Sequence, residues 1–295
     1  MSQRLPDTPQ GEPALPAPIL RGPSPEALYL DLMKRCLTRY GLDDDLTPVA
    51  PVQPWKQQIW RQAARALEKH DWVMLRRAPF RPEVRETGRD WPWRAETMIG
   101  LRRLDNVQHC IERAVADGVP GDVLEAGVWR GGAAIFMRSV LAALGETERV
   151  VWVADSFAGL PKPDPKHEAD RGDKHWAQTA LAVPLEEVKR NFARYGLLDQ
   201  QVRFLQGWFS DTLPTAPVER LAVLRADADM YGSTMDVLTA LYPKVSVGGY
   251  VIIDDYGNSD IPGCRAATDD YRSEHGITEP IERVDWTGVF WQRQR

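Results

Sequence analysis

The sequence predicts an α/β fold: a mostly parallel seven-stranded sheet with a terminal antiparallel hairpin, behind an N-terminal helical extension. Three observations carry this. From Gly121 onward, short apolar runs alternate with segments of helical period, the pattern of βαβ units. The last two apolar runs, 280–284 and 288–292, are separated only by the turn around Asp285-Trp286, which makes a hairpin. The first 117 residues instead read as helical and irregular.

Composition bounds the alternatives. The chain has 295 residues, 43% of them hydrophobic and 27% charged, enough for a packed core and incompatible with whole-chain disorder. A net charge of −5 argues against a dedicated nucleic-acid binder. No run approaches the length of a membrane span, and the N-terminus lacks an apolar signal core, so a cytoplasmic protein is expected. Cys36, Cys110 and Cys264 are odd in number and far apart, which fits a reducing compartment and excludes a zinc pattern.

Residues 1–24 are proline-rich and read as a flexible arm. Ser24-Pro25-Glu26 opens a helix, with Ser as N-cap and Pro at the first helical position; Leu28, Leu32, Met33 and Leu37 continue it, and Gly41 stops it. Residues 43–54 read as a loop, Trp55 to Lys69 as an amphipathic helix with Trp55 and Trp60 in the core, 78–93 as irregular, and Glu96 to Ala116 as a helix. Together 25–117 form a helical lid and substrate region, and 118–295 the cofactor-binding catalytic domain. In the latter, strands are expected at 122–126, 149–154, 202–205, 221–226 and 249–253. Helices are expected at 133–144, 185–195, 234–242 and 264–275, and a long polar loop at 158–183.

Ligands of open parallel sheets bind outside the carboxyl ends of the strands. Four of the five strand ends here carry carboxylates: Glu125, Asp155, Asp227 with Asp229, and Asp254-Asp255. The turn Glu125-Ala126-Gly127-Val128-Trp129 lets backbone approach a ligand, but Trp129 stands where a dinucleotide fingerprint needs glycine. A nucleoside with a cationic tail suits it better than a pyrophosphate. Asp155 is placed to accept ribose hydroxyls, and S-adenosylmethionine meets these demands; the plainer alternative is an ordinary βα turn. Asp227, Asp254 and Asp255 can converge on a hard divalent cation such as magnesium, or each can cap the following helix. Trp208, after the third strand, stands where an adenine ring would lie. His167 and His175, in the long loop, are candidates for a substrate wall or for plain solvated residues. Phosphate-loop, nucleophile-elbow and HExxH signatures are absent, as is a Tyr-x-x-x-Lys pair.

Six ordered blocks resemble the macrocin (TylF-type) O-methyltransferases: Glu96-Thr-Met-Ile-Gly100 with Arg103-Leu-Asp-Asn106, Leu124 to Gly132, Asp155-Ser-Phe-Ala-Gly-Leu-Pro161, Gln206 to Pro214, Asp227 to Thr234, and Gly248 to Tyr256. The resemblance runs from about Pro25 to the C-terminus. It implies a class I methyltransferase (Rossmann-like) fold, S-adenosyl-L-methionine and Mg2+ as cofactors, and a homo-oligomer. Its expected substrate is a small molecule, a sugar hydroxyl of a glycosylated natural product such as a macrolide antibiotic. By the same resemblance Thr97 and Met98 lie over the methionine part of the cofactor. Glu125, Ala126, Gly127, Val128 and Trp129 form its loop, Asp155 with Ser156 the ribose site, and Gly207 with Trp208 the adenine side. Asp227, Asp254 and Asp255 are the metal set, and Asp229 the base. Ala228 departs from the family's usual glycine. The competing classes are a NAD-linked oxidoreductase, which would want a tighter glycine fingerprint, and a non-catalytic binding relative, which would be expected to have lost part of the carboxylate set.

Overall fold

The computed structural model describes residues 23–42, 45–49 and 74–295, with scattered positions between 62 and 72. Of the arm expected over 1–24, residues 1–22 lie outside the described residues, as does most of the helix expected over 55–69, with its two tryptophans. No helix among the described residues is long and apolar enough to cross a membrane.

Helix α1 (Pro25–Thr38) begins as its sequence dictates: Ser24 Oγ accepts the Ala27 amide, and Pro25 sits at the first position. Arg39, in the left-handed conformation, ends it two residues before Gly41. The expected loop at 43–54 contains a strand instead, β1 (Asp45–Pro48), paired antiparallel with β2 (Leu75–Ala78). Neither strand shows period-2 alternation, and their pairing is non-local, so periodicity missed both. The segment expected to be irregular holds a short helix, α2 (Pro82–Glu86), started by its proline. Helix α3 (Leu101–Ala116) starts five residues later than expected, after the N-cap Gly100, because residues 96–99 pass over the start of the next helix, where the Glu96 carbonyl accepts the Gly132 amide.

The second half follows the expected order closely. It contains β3 (Asp122–Ala126), α4 (Gly132–Ala143), β4 (Val151–Asp155), α5 (Leu185–Arg194), β5 (Val202–Gln206) and α6 (Phe209–Thr212). After these come β6 (Leu221–Ala226), α7 (Tyr231–Leu241), β7 (Val245–Ile253), α8 (Pro262–Glu274), β8 (Glu282–Arg283) and β9 (Val289–Gln292). Strand order is β5-β4-β3-β6-β7-β9-β8, with the first five parallel and β9 antiparallel to both neighbours. The chain reverses direction across the sheet between β3 and β6, which creates the crevice where such sheets bind ligands.

Alternation along the strands divides the core. Val123, Val151, Val153, Val223 and Ile252 face α1, α3, α4 and α5. Leu124, Trp152, Leu224, Val251 and Trp291 face α7 and α8. This alternation places Glu125 and Arg225, which are in register, on the α3–α4 side.

At the crevice the backbones of β3 and β6 nearly touch. Gly127 has φ +87°, and a Cβ there would overlap the Asp227 carbonyl. We predict that Gly127→Ala costs about 3 kcal/mol, combining ~1–2 of left-handed strain with ~1–3 of overpacking. Gly145, at φ +70° with open space around it, should cost only ~1 kcal/mol when changed to Ala. Equal shifts in their denaturant midpoints would contradict the close-approach account.

Candidate active site

A cavity of about 360 Å³ opens over the carboxyl ends of β3, β4, β6 and β7, and a second, of about 390 Å³, adjoins it. They share Gly127, Asp155, Gly159, Leu160 and Asp227. Of the residues expected to bind cofactor, Met98, Gly127, Trp129 and Asp155 line the first cavity; Ser156 and Trp208 line the second. Thr97, Glu125, Ala126, Val128 and Gly207 line neither. Thr97 is buried and its hydroxyl accepts the Ile99 amide; the Val128 amide donates to Asp155 Oδ2 at 2.8 Å. Glu125 lies beneath the floor, ion-paired with Arg225.

The turn after β3 is held open by conformations that side chains rarely adopt. Trp129 has φ +48° and Phe157 φ +53°. Such strain of ~1–3 kcal/mol persists only where surrounding contacts enforce it. Here Trp129 Nε1 donates to the Ala180 carbonyl, its ring meets Trp91 edge-on at 6.1 Å, and the Arg130 guanidinium lies over it. Arg130 in turn donates to the carbonyls of Trp93 and Ala95. The Glu96 carbonyl accepts the Gly132 amide at the start of α4. Thus the 91–98 segment and the long loop both close over the turn.

Asp227, Asp254 and Asp255 come together: each offers an oxygen within 4.8 Å of the others. The helix-capping alternative does not describe them. The amide of Tyr231, at the start of α7, is taken by Asp170 at 3.0 and 3.1 Å, and α8 has no side-chain cap. Asp229 also lines the cavity, but by a different route than an extended chain would give. It has φ +58°, and Met230 N–H reaches back to the Ala228 carbonyl. A tight turn, not period-2 alternation, aims it.

Two residues that sequence reasoning passed over organise this cluster. Arg225, fully buried on β6, donates to Glu125, to Asp227 at 3.0 Å and to Asp254. Arg103, buried on α3, donates to the other oxygen of Asp254 and pairs with Asp285 at 3.0 Å. A signal for Arg225 existed: a lone arginine inside an apolar strand needs carboxylate partners.

Six carboxylates (Glu125, Asp227, Asp229, Asp254, Asp255 and Asp285) therefore surround two guanidinium groups. Burial, then the neighbouring carboxylates, pushes Asp229 and Asp255 well above the usual range. Burial, opposed by Arg225, pushes Glu125 up to about 8. Asp255 Oδ2 is buried with no hydrogen-bond partner. Hard oxygen donors, surplus negative charge and an orphaned oxygen suit a divalent cation. On the cavity wall, His175 Nδ1 lies 3.2 Å from Asp173, while His167 stacks on Tyr231 in the second cavity.

A seven-stranded sheet in this order, with its crevice at the β3–β6 reversal, defines the class I methyltransferase fold. The macrocin O-methyltransferase (TylF) family model matches residues 26–293. The chain is 51% identical over 270 residues to mycinamicin III 3''-O-methyltransferase of Micromonospora griseorubida, covering 90% of this chain and 96% of that one. It is 54% identical over 224 residues to demethyldecarbamoylnovobiocin O-methyltransferase of Streptomyces niveus, covering 75% and 84%. The solved structure of the O-methyltransferase NovP superposes with a TM-score of 0.78 at 47% identity, covering 92% of this chain and all of that one. The calicheamicin methyltransferase CalS11, at 19% identity and TM-score 0.55, shares the fold. The chain belongs to the macrocin O-methyltransferase family and is an adenosylmethionine-dependent O-methyltransferase.

The raised Glu125 pKa sets a pH dependence. The folded protein holds a proton that the unfolded chain releases near 4.5, so stability is lost as pH rises from there toward about 8. In chelator, the melting temperature of wild type should fall more steeply between pH 5 and 8 than that of Glu125→Gln. Parallel slopes would show that Glu125 is ionised throughout.

Proposed function

We propose that this chain methylates a sugar hydroxyl of a glycosylated natural product, using S-adenosylmethionine and Mg2+. The observation that carries the reading is the convergence of Asp227, Asp254 and Asp255, with the orphaned Asp255 Oδ2, on the floor of a cavity that also contains Asp155. The names of the relatives support the substrate class, since they are named for mycinamicin III, for demethyldecarbamoylnovobiocin and for a tetracenomycin that carries a dimethoxy-rhamnosyl group.

In this reading the second cavity takes the adenosine. Trp208 offers a face for the base, and Asp155 its remaining lone pairs for the ribose hydroxyls. Asp155 is pre-oriented, because the amides of Val128 and Phe157 already hold its two oxygens. Met98, Gly127 and Trp129 line the methionine end, with Thr97 and Val128 supporting from behind. Glu125, Ala126 and Gly207 serve by shaping the strand ends, not by contact. The sulfonium supplies an activated methyl group for in-line displacement.

The acceptor faces the remaining wall of the first cavity, formed by Arg89, Trp91, Gln178 and Trp286. Flat indole faces and polar side chains suit a sugar ring. Asp227, Asp254 and Asp255 would hold the Mg2+, which supplies polarisation of the hydroxyl and its orientation. Asp229 takes the hydroxyl proton. Its raised pKa in the cation-free site falls when positive charge enters, which keeps it ionised for that task. Loop 158–183 and residues 88–98 exclude water from above.

We also propose a homo-oligomer in the cytoplasm. Leu28 and Leu32, exposed one turn apart on α1, support the former. The three free cysteines support the latter.

The test separates base from ligands. Asp229→Asn should keep adenosylhomocysteine and metal binding and lose roughly 10²–10⁴ in turnover, the span of general-base loss. His175→Ala should be much milder. Normal turnover by Asp229→Asn, or full wild-type activity in excess chelator, would overturn the assignment.

A further inference from the structure

We propose that Arg103 is a positioning residue. It holds Asp254 in ion-binding geometry and ties that carboxylate to the hairpin turn that carries Trp286 of the acceptor wall. The inference rests on the cation reading above and adds to it a group that lies in the N-terminal helical region, away from the strand ends.

Asp254 is gripped from two sides. Arg225, rising from β6, donates to Oδ1, and Arg103, reaching down from α3, donates to Oδ2. Both bonds are charge-assisted, and rotating the carboxylate would break at least one of them. The next residue, Asp255, is held by no guanidinium; its side chain meets the Asp227 carboxylate, and its Oδ2 receives no protein donor. One strand end thus presents a fixed carboxylate beside one whose oxygen awaits a ligand.

Arg103 does not end at Asp254. Its Nε lies 3.0 Å from Asp285 Oδ2, an ion-pair contact that lacks the alignment of a hydrogen bond. The other Asp285 oxygen accepts the amides of Thr287 and Gly288 at 3.0 and 2.8 Å, so this buried carboxylate shapes the β8–β9 turn. The arginine stem lies against that turn: a Cβ on Gly288 would stand 3.0 Å from Arg103 Cδ. Trp286, at the tip, lines the cavity and donates Nε1 to the Thr87 carbonyl at 2.7 Å. A single planar fork therefore joins a cation carboxylate, the C-terminal hairpin and the N-terminal cover. Lysine, a point charge, cannot span both carboxylates. Groups that orient metal ligands in this way typically change metal affinity 10–100-fold when lost.

A pure counter-charge role makes the opposite prediction. Removing a positive charge beside an anionic cluster should tighten a cation, whereas removing a positioning group should loosen it. The experiment titrates Mn2+ into full-length protein, without acceptor, and reads free Mn2+ by electron paramagnetic resonance. Arg103→Gln and Arg103→Lys should both bind Mn2+ at least ~10-fold more weakly than wild type, with adenosylhomocysteine affinity unchanged. Arg103→Lys keeps the charge and loses only the fork, so it reads the positioning role by itself if Arg103→Gln does not fold. Tighter Mn2+ binding by Arg103→Gln would overturn the proposal in favour of a counter-charge. So would unchanged binding in both variants accompanied only by lower melting temperatures. Wild type that takes up no Mn2+ would contradict the cation reading itself, and the positioning role would fall with it.

Discussion

Arg225 stands on a central strand of the sheet with essentially no access to solvent, and a guanidinium there is tolerable only while carboxylates surround it. Glu125 reaches it from β3, Asp227 from the end of its own strand and Asp254 from β7. Those three strands are neighbours because the chain reverses direction between β3 and β6. The topology that opens the crevice thus also brings the acids to one arginine. One cation does not balance them, and with Asp229, Asp255 and Asp285 close by even Arg103 leaves an excess. The excess resolves either by protonation, which the raised pKa values of Glu125, Asp229 and Asp255 express, or by cations arriving in the cavity. A sulfonium and a divalent metal are such cations. On the proposed reading, the same imbalance gives the site its affinity for both.

Burying this cluster requires a cover, and the cover is assembled from distant parts of the chain. Residues 91–98 are stitched to the β3–α4 turn through Arg130 and the Glu96 carbonyl. The loop after β4 is stitched to the same turn through Trp129 and Ala180, and the C-terminal hairpin to Thr87 through Trp286. Asp170 ties the loop to the start of α7, and Gly263 leaves it room, since a Cβ there would overlap the Asp170 carboxylate. Among the described residues, three of the four non-glycine residues at positive φ, Trp129, Phe157 and Asp229, lie at or beside the cavity; the fourth, Arg39, ends α1. Strain collected at the binding site is the pattern expected where side chains are aimed for function at a cost in backbone energy.

The parallel half of the fold was legible because each element is local: apolar runs, glycine turns and helix periods repeat within a few residues. The carboxylates were legible because strand ends project into the ligand crevice of such sheets. What was not legible depends on contacts between distant segments. The β1–β2 pair joins residues some thirty apart with no alternating pattern. The late start of α3 reflects the passage of residues 96–99 over the start of α4; Thr97, Ile99 and Gly100 are weak helix formers that agree with it. Glu125 read as a ligand-facing acid, yet strand register turns it toward Arg225 beneath the floor. Asp229 read as one more strand-end carboxylate; a left-handed turn past the strand is what aims it into the cavity. Arg103 sat in plain sight within one of the motif blocks, but nothing local says that it reaches β7 and the hairpin.

On the reading proposed above, the carboxylate cluster carries surplus negative charge that protons hold in check until a divalent cation replaces them. Isothermal titration of Mg2+ into adenosylhomocysteine-loaded protein near pH 7, repeated in buffers of different ionisation enthalpy, measures this directly. The account predicts one ion per chain, a net release of protons on binding, and loss of both signals in Asp255→Asn. Binding with no proton exchange, or binding that survives Asp255→Asn unchanged, would contradict it.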